Sequence, residues 1–343
     1  MYDVIVIGAG PAGCSSAKRI AGKGYKVLLV ERKKLPREKP CSGILIRKSM
    51  ELVKKYFGTY PPEIVFSSPH ENRGMVFTTY EGKEYRFEDK GLNIRRDLLD
   101  HWLTVKAGES GTVIKSSTIA LSCHEQQEYV EVVLKKGTLY TEKARYVIIC
   151  DGAAGPLKRK LFPSTADNIF TYQAFCRGNI SLDPHYFYAY LQPGFSEYDA
   201  WFNVKDDHLI FGVAVRDPRT AKTYHGKFLE YMKKQYAAAI EKITKTESWV
   251  MPRIRPGCPV DYGEGRILLA GETAGFLNPM GEGISCALES GYEAANTIIC
   301  ALDNPGTVSP SSLYKEKTSS IQEYMLRQWR FVGHMSPFFE MMK

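Results

Sequence analysis

Two glycine-rich turns at opposite ends of the chain carry the residue types that bind a dinucleotide. The first is Gly8-Ala9-Gly10-Pro11-Ala12-Gly13; the second runs from Gly271-Glu272-Thr273-Ala274-Gly275 to Gly281-Glu282-Gly283. In the first, Gly8 permits a tight turn, Gly10 lets the backbone approach a pyrophosphate, and Gly13 allows close helix–strand packing. A helix N-terminus at this point would face the negative charge. Glu31, about 20 residues further on, is a carboxylate placed to accept hydrogen bonds from a ribose diol, and Arg32 follows it. The same glycines also suit a plain strand–helix turn, but strand, helix and acid together favour the dinucleotide.

The elements around the turns fit that chemistry. Residues 2–7 form an apolar, β-branched run suited to a buried parallel strand, and residues 14–23 have the pattern of the helix that follows. A second apolar run, 26–30, ends at Glu31. Residues 75–87 contain strand-like pieces about a hairpin turn at Glu81-Gly82-Lys83. Residues 96–107 turn helical, with Leu99, Leu103 and Ala107 on one face. Strands are expected over 113–119, 129–134 and 140–149, the last ending in Cys150-Asp151-Gly152. Aromatic-rich runs at 186–191, 200–204 and 209–215 predict an antiparallel sheet, with a helix over 224–244. A late strand over 266–270 and a helix over 285–302 return to the nucleotide side. The expected fold is α/β, with a Rossmann-like nucleotide-binding domain from 1–74, 92–165 and 256–305. Residues 75–91 and 166–255 form a discontinuous antiparallel-sheet substrate domain, and 306–343 a helical C-terminal segment.

Composition suits a large buried core: 343 residues, 44% hydrophobic and 24% charged. The first strand begins at residue 2, which leaves no room for a secretory signal, and no run approaches the ~18 apolar residues of a transmembrane helix. A cytoplasmic location is expected. The eight cysteines show neither CxxC pairs nor a zinc-ligand spacing, so no metal site is expected. The formal charge of +8 is spread along the chain without the aromatic–basic pattern of nucleic-acid binding, so no nucleic-acid partner is expected.

Several segments together resemble the geranylgeranyl reductase family of flavoproteins, which share the p-hydroxybenzoate hydroxylase fold. They are Pro36-Arg37-Glu38-Lys39-Pro40-Cys41-Ser42-Gly43, the helix with Arg96, Leu99, Asp100 and Leu103, Asp151-Gly152, and Asn278-Pro279-Met280-Gly281-Glu282-Gly283-Ile284. The likeness covers both ends of the nucleotide domain and fades in the substrate domain.

The resemblance implies an FAD cofactor, reduced by NAD(P)H or an electron-carrier protein. Gly8, Gly10, Ala12 and Gly13 would hold the pyrophosphate, Glu31 the adenosine ribose, and Arg96 the phosphate or ribityl region; Arg96 also reads as a surface ion pair with Asp100. Ala120 would offer strand backbone to adenine, and Asp151, Gly271 and Glu272 would contact the cofactor. Gly283 and Ile284 would lay helix-start amides against the flavin pyrimidine. Cys41, with Ser42 and Gly43, would lie beside the ring, where a thiol could contact the flavin, steer substrate or donate a proton; it also reads as a small packing residue. Two departures from the family pattern stand out. Glu272 replaces the usual Asp, and the loop before Gly281 is one residue shorter.

The reaction implied is reduction of a carbon–carbon double bond in a small apolar, isoprenoid-type substrate. The alternative is an FAD-dependent monooxygenase acting on an aromatic or apolar small molecule. A halogenase is not favoured, because no tryptophan-x-tryptophan-x-isoleucine-proline segment occurs. A non-enzymatic electron carrier would lack a roomy pocket. Trp201 is the candidate substrate-lining residue, with a core role the competing reading. The C-terminal Trp329, Phe331, Met335, Phe338, Phe339 and Met341 could close over substrate, pack on a partner or touch a membrane that stores a lipid substrate; packing on the nucleotide domain is the default.

Overall fold

A computed structural model of the chain describes residues 1–161, 168–307 and 309–337. Two sheets organise it. In the first, Val113–Lys115, Val27–Val30, Tyr2–Ile7, Thr138–Ile149 and Ile267–Leu269 lie side by side and parallel. The apolar runs 4–7, 27–30, 146–149 and 267–269 are buried, as strands covered on both faces require, whereas Val113 on the edge strand is exposed. Ile119–Glu125 and Val130–Lys136 form an antiparallel extension of Thr138–Ile149, whose alternate Val130, Val132 and Leu134 join the same core. The expected strand over 113–119 is therefore two, broken where Ser117 takes a φ of 54°.

The second sheet runs Ala239–Pro252, Asn168–Asn179, His208–Val215, Ala200–Lys205, Tyr186–Tyr190, Phe66–Thr78, Glu84–Ile94 and Ile44–Leu45. All neighbours are antiparallel except Tyr186–Tyr190 with Phe66–Thr78. Three expectations change here. The hairpin about Gly82 is longer than 75–87, so the divisions at 74/75 and 91/92 fall inside strands. The helix expected over 224–244 is Ala221–Tyr236. It stops at Ala237, in a left-handed conformation (φ 50°), and the β-branched run beyond it becomes the edge strand Ala239–Pro252. Finally, Ser319–Met335 packs on both domains: Ile321 and Met325 enter the nucleotide-domain core, while Val332 and Met335 sit with Phe77, Phe187 and Trp201 on the second sheet. Phe338, Phe339 and Met341 and the 165/166 division lie outside the described residues.

The alternation along Ala200–Lys205 separates two environments. Ala200 and Phe202 pack with Phe228 and Met232 of the helix behind the sheet, whereas Trp201 belongs to the cluster on the opposite face.

What joins the two ends of the chain is a helix pair. Pro11–Ala21 packs on Ile284–Asp303 so closely that a Cβ at Gly291 would lie 2.1 Å from the Ala12 carbonyl oxygen. Ser15 Oγ donates across the same contact to the Leu288 carbonyl, at 3.0 Å. Helix propensity alone favours Ala over Gly by about 1 kcal/mol, but overpacking costs about 1–3 kcal/mol and should win here. Gly291→Ala is expected to lower the urea midpoint; a raised midpoint would show that the helices have room to spare.

Candidate functional site

The glycines of the first turn divide into two kinds. A Cβ at Gly8 (φ 106°) would meet the Cys150 carbonyl oxygen at 2.3 Å, and one at Gly13 would meet the Gly8 carbonyl oxygen at 1.8 Å. Both are required by the protein's own packing. At Gly10 the nearest protein atom is Arg37 Nη2 at 3.7 Å, so nothing in the protein demands glycine there. The opening it leaves at the start of helix Pro11–Ala21 suits a pyrophosphate, and the residues fit FAD on that observation.

One cavity runs from this turn between the two sheets. Gly8, Gly10, Ala12, Glu31, Arg32 and Ala120 line its nucleotide end. Cys41, Ser42, Arg96, Asp151, Gly271 and Glu272 follow, then Gly283, Ile284 and Trp201. Gly13 and Gly43 stand behind the wall. A Cβ at Gly43 (φ 78°) would collide with Lys205 Nζ and the Ile94 carbonyl, so this glycine lets the Cys41 segment lie flat on the second sheet. The late turn meets the first directly: a Cβ at Gly271 would touch that of Ala12 at 3.0 Å.

A buried chain of alternating charge holds the nucleotide end. Glu31 accepts hydrogen bonds from the amides of Ala9 (3.1 Å) and Lys33 (2.9 Å) and from Arg37 Nε (3.0 Å). Arg37 also pairs with Asp100 at 3.2 Å, and Asp100 is gripped by Arg96 through two nitrogens at 3.1–3.2 Å. The Arg96–Asp100 pair therefore exists, but it is buried rather than on the surface. Burial works against the charge on Arg96; the Asp100 carboxylate beside it outweighs that and raises its pKa. Arg96 and Cys41 line the same stretch of the cavity, and the Gly43 amide donates to Cys41 Sγ at 3.3 Å.

At the late turn, Thr273 Oγ1 accepts from the Gly152 amide (2.7 Å) and donates to Asp151 (3.3 Å). Burial pushes the Asp151 carboxyl up to about 6, against hydrogen bonds from Leu157 and Thr273. Glu282 caps the helix that starts at Ile284: its carboxylate takes the Ser285 amide (2.8 Å) and hydroxyl (2.6 Å) and Ser49 Oγ (3.0 Å). Part of the positive helix end is thus already answered by a protein carboxylate.

Four participants had no role assigned from sequence. Lys39 sits 3.5 Å from Glu272 and 4.0 Å from the centre of the Trp249 ring, with burial lowering its pKa. Burial pushes Lys205 down to about 8. Trp249 comes from the edge strand, of which only residues 239–244 were expected to be helix and the rest had no element assigned. Asp199 lines the cavity, and burial holds its carboxyl up to about 6. It lies two residues before Trp201, so strand alternation was the signal that would have found it.

A family model described as an FAD binding domain matches residues 1–175. Protein CbrA of Escherichia coli O139:H28 (strain E24377A / ETEC) is 26% identical over 298 residues, which is 84% of this chain and 82% of CbrA. Among solved structures, a geranylgeranyl bacteriochlorophyll reductase-like protein from Thermoplasma acidophilum aligns with a TM-score of 0.80 at 21% identity, over 96% of this chain and 86% of its own. The myxobacterial chondrochloren halogenase CndH gives 0.77 at 18% identity, over 97% and 82%. Aklavinone-11 hydroxylase, in a complex with FAD and aklavinone, gives 0.71 at 18% identity, over 97% and 69%. These likenesses establish the p-hydroxybenzoate hydroxylase type of fold. With the family model spanning the first glycine turn, Glu31, Cys41, Arg96 and Asp151, the chain belongs to the FAD-binding-domain family.

Proposed function

We propose that this protein is an FAD-dependent reductase of a carbon–carbon double bond in an apolar, isoprenoid-type substrate. The observation that carries the reading is the meeting of Cys41 and the Gly281-Glu282-Gly283-Ile284 segment, the two motifs most specific to the geranylgeranyl reductase resemblance, in one cavity. That cavity continues past them to Met75, Phe187 and Trp201, an apolar wall suited to a hydrocarbon. Such an extension is more than an electron carrier needs.

Bound and reduced, FAD supplies a hydride to one alkene carbon. The protein's residues would hold it at Gly10, Ala12, Glu31, Arg96 and Gly283. Cys41 is the proposed proton donor to the second carbon. The Gly43 amide donates to its sulfur at 3.3 Å, and Cys41 lines the cavity, where its S–H would be offered to a bound alkene. Solvent then returns the proton to sulfur. The electron source is NAD(P)H or an electron-carrier protein, and the wall of Trp201 and its neighbours keeps water from the reacting carbons.

The reading is tested by mixing anaerobically reduced, FAD-loaded protein with an isoprenoid alkene. Return of the oxidised-flavin spectrum together with saturated product is expected. Incorporation of labelled dioxygen into product would turn the assignment to a monooxygenase, the activity class of the aklavinone hydroxylase that shares the fold. Cys41→Ala is expected to keep FAD and lose at least about ten-fold in turnover, with Cys41→Ser recovering part of it. Unchanged turnover in the alanine variant would remove Cys41 from the chemistry.

A further inference from the structure

On its second-sheet side the cavity has a floor of mostly small residues between two tryptophans. Trp201 stands opposite Gly212 and Gly212 opposite Gln173, while Thr171 stands opposite both Ala214 and Trp249. The two tryptophans thus rise from strands about 14 Å apart, on one face, with two strands between them. Gly212, Ala214 and Thr171 add little height to that floor, and Gln173 is tied to Glu247 by a hydrogen bond of 2.7 Å.

Both indoles are held in place. A Cβ at Gly212 would fall 2.0 Å from Cε2 and Cζ2 of Trp201, both on the Nε1 side of that indole. The ring therefore lies along the floor, in room that only a glycine leaves. Across the floor, Lys39 Nζ sits 4.0 Å from the centre of the Trp249 ring. Cys41 lies between the two: Lys39 precedes it by two residues, and the carbonyl of Ser42, which follows it, accepts from Asn203 Nδ2 at 3.2 Å, two residues beyond Trp201.

Trp201 is 8% exposed, and neither its N–H nor that of Trp249 meets an acceptor among the described residues. A buried donor without a partner is costly, and both side chains line the cavity. Indole nitrogen only donates, so the acceptor has to come from the ligand. Neither indole is charged, which matches a neutral oxygen; a carboxylate would bring a charge that they leave unanswered.

The proposed reaction gives that oxygen a task. A hydride added to an isolated alkene leaves its electron pair on carbon. When the double bond is conjugated with a carbonyl, the hydride joins the β-carbon and the π pair moves through the conjugated system onto the carbonyl oxygen. The proton of the Cys41 thiol then joins the α-carbon as the C=O bond re-forms, and solvent reprotonates the sulfur. A fixed N–H donor is worth most where charge develops.

We infer that the substrate is an α,β-unsaturated carbonyl compound, and that the Trp201 N–H donates to its carbonyl oxygen. The inference rests on the alkene-reductase reading with Cys41 as proton donor, and adds the group that activates the double bond. Trp249 bounds the other side of the planar slot with a second donor.

The test uses carvone and limonene, which share a carbon skeleton and differ in the carbonyl beside the ring double bond. In calorimetric titration of the oxidised, FAD-loaded protein, carvone is expected to bind at least about five-fold tighter. In Trp201→Phe, which keeps a ring and removes the N–H, the two should bind within about two-fold of each other, with limonene affinity unchanged. Mixed anaerobically with reduced, FAD-loaded protein, carvone should reoxidise the flavin at least about ten-fold faster than limonene and yield dihydrocarvone. Equal affinity in the wild type, no binding of carvone, a preference kept in the phenylalanine variant, or limonene reacting as fast as carvone would each overturn the inference. A carvone preference that depends on Trp201, with no flavin reoxidation by any alkene, would overturn the reductase reading instead.

Discussion

The contact of helix Pro11–Ala21 with helix Ile284–Asp303 is the constraint on which the site depends. Each helix opens with a glycine-rich turn, and both turns line one cavity. Close approach at Gly291, the Ser15–Leu288 hydrogen bond and the near-touch of Gly271 and Ala12 bring the two turns to one place. The parallel sheet below fixes the height of both helices, because Tyr2–Ile7 and Ile267–Leu269 each pair with Thr138–Ile149. A residue at the start of the chain and one near its end thereby share a wall of the same cavity.

Electrostatics then divides that cavity. The row Glu31, Arg37, Asp100 and Arg96 is buried, and such groups persist only when each has its partner in good geometry. Removing any one leaves a neighbour's charge uncompensated, so the row acts as a frame that holds Arg96 at the cavity wall. Toward the second sheet the walls turn apolar and aromatic. Asp199 lines the cavity there, its ionisation disfavoured by desolvation. Across the interval from its ordinary pKa to about 6 the folded state binds the extra proton, so this group costs stability as pH rises.

Much of the nucleotide side was legible in the sequence because its determinants are local. A β-branched run, glycines at fixed offsets and an acid at the end of the next strand specify strand, turn, helix and the placement of the Glu31 carboxylate within a few dozen residues. The second sheet was less legible. Residues 239–252 follow a helix without a break in polarity, and only the left-handed turn at Ala237 and pairing with Asn168–Asn179 make them a strand. Long-range pairing also extended the hairpin about Gly82, whose outer residues are exposed and carry no core pattern. Lys39 and Lys205 look like ordinary surface lysines in the sequence; their burial follows from how the Cys41 segment lies on the sheet. Asp199 was within a segment already singled out, but its role needed knowledge of which residues share a face with Trp201.

The central claim is that both glycine turns hold one FAD whose ring faces the cavity side of strand Ala200–Lys205. A crystal structure of the FAD-loaded protein tests it most directly. The adenosine is expected at Glu31 and Ala120, the pyrophosphate at Gly10, and the ring beside Cys41 with Gly283 and Ile284 at its pyrimidine edge. A ring lying away from Cys41 and Gly283, or a cofactor held by the first turn alone, would contradict the account.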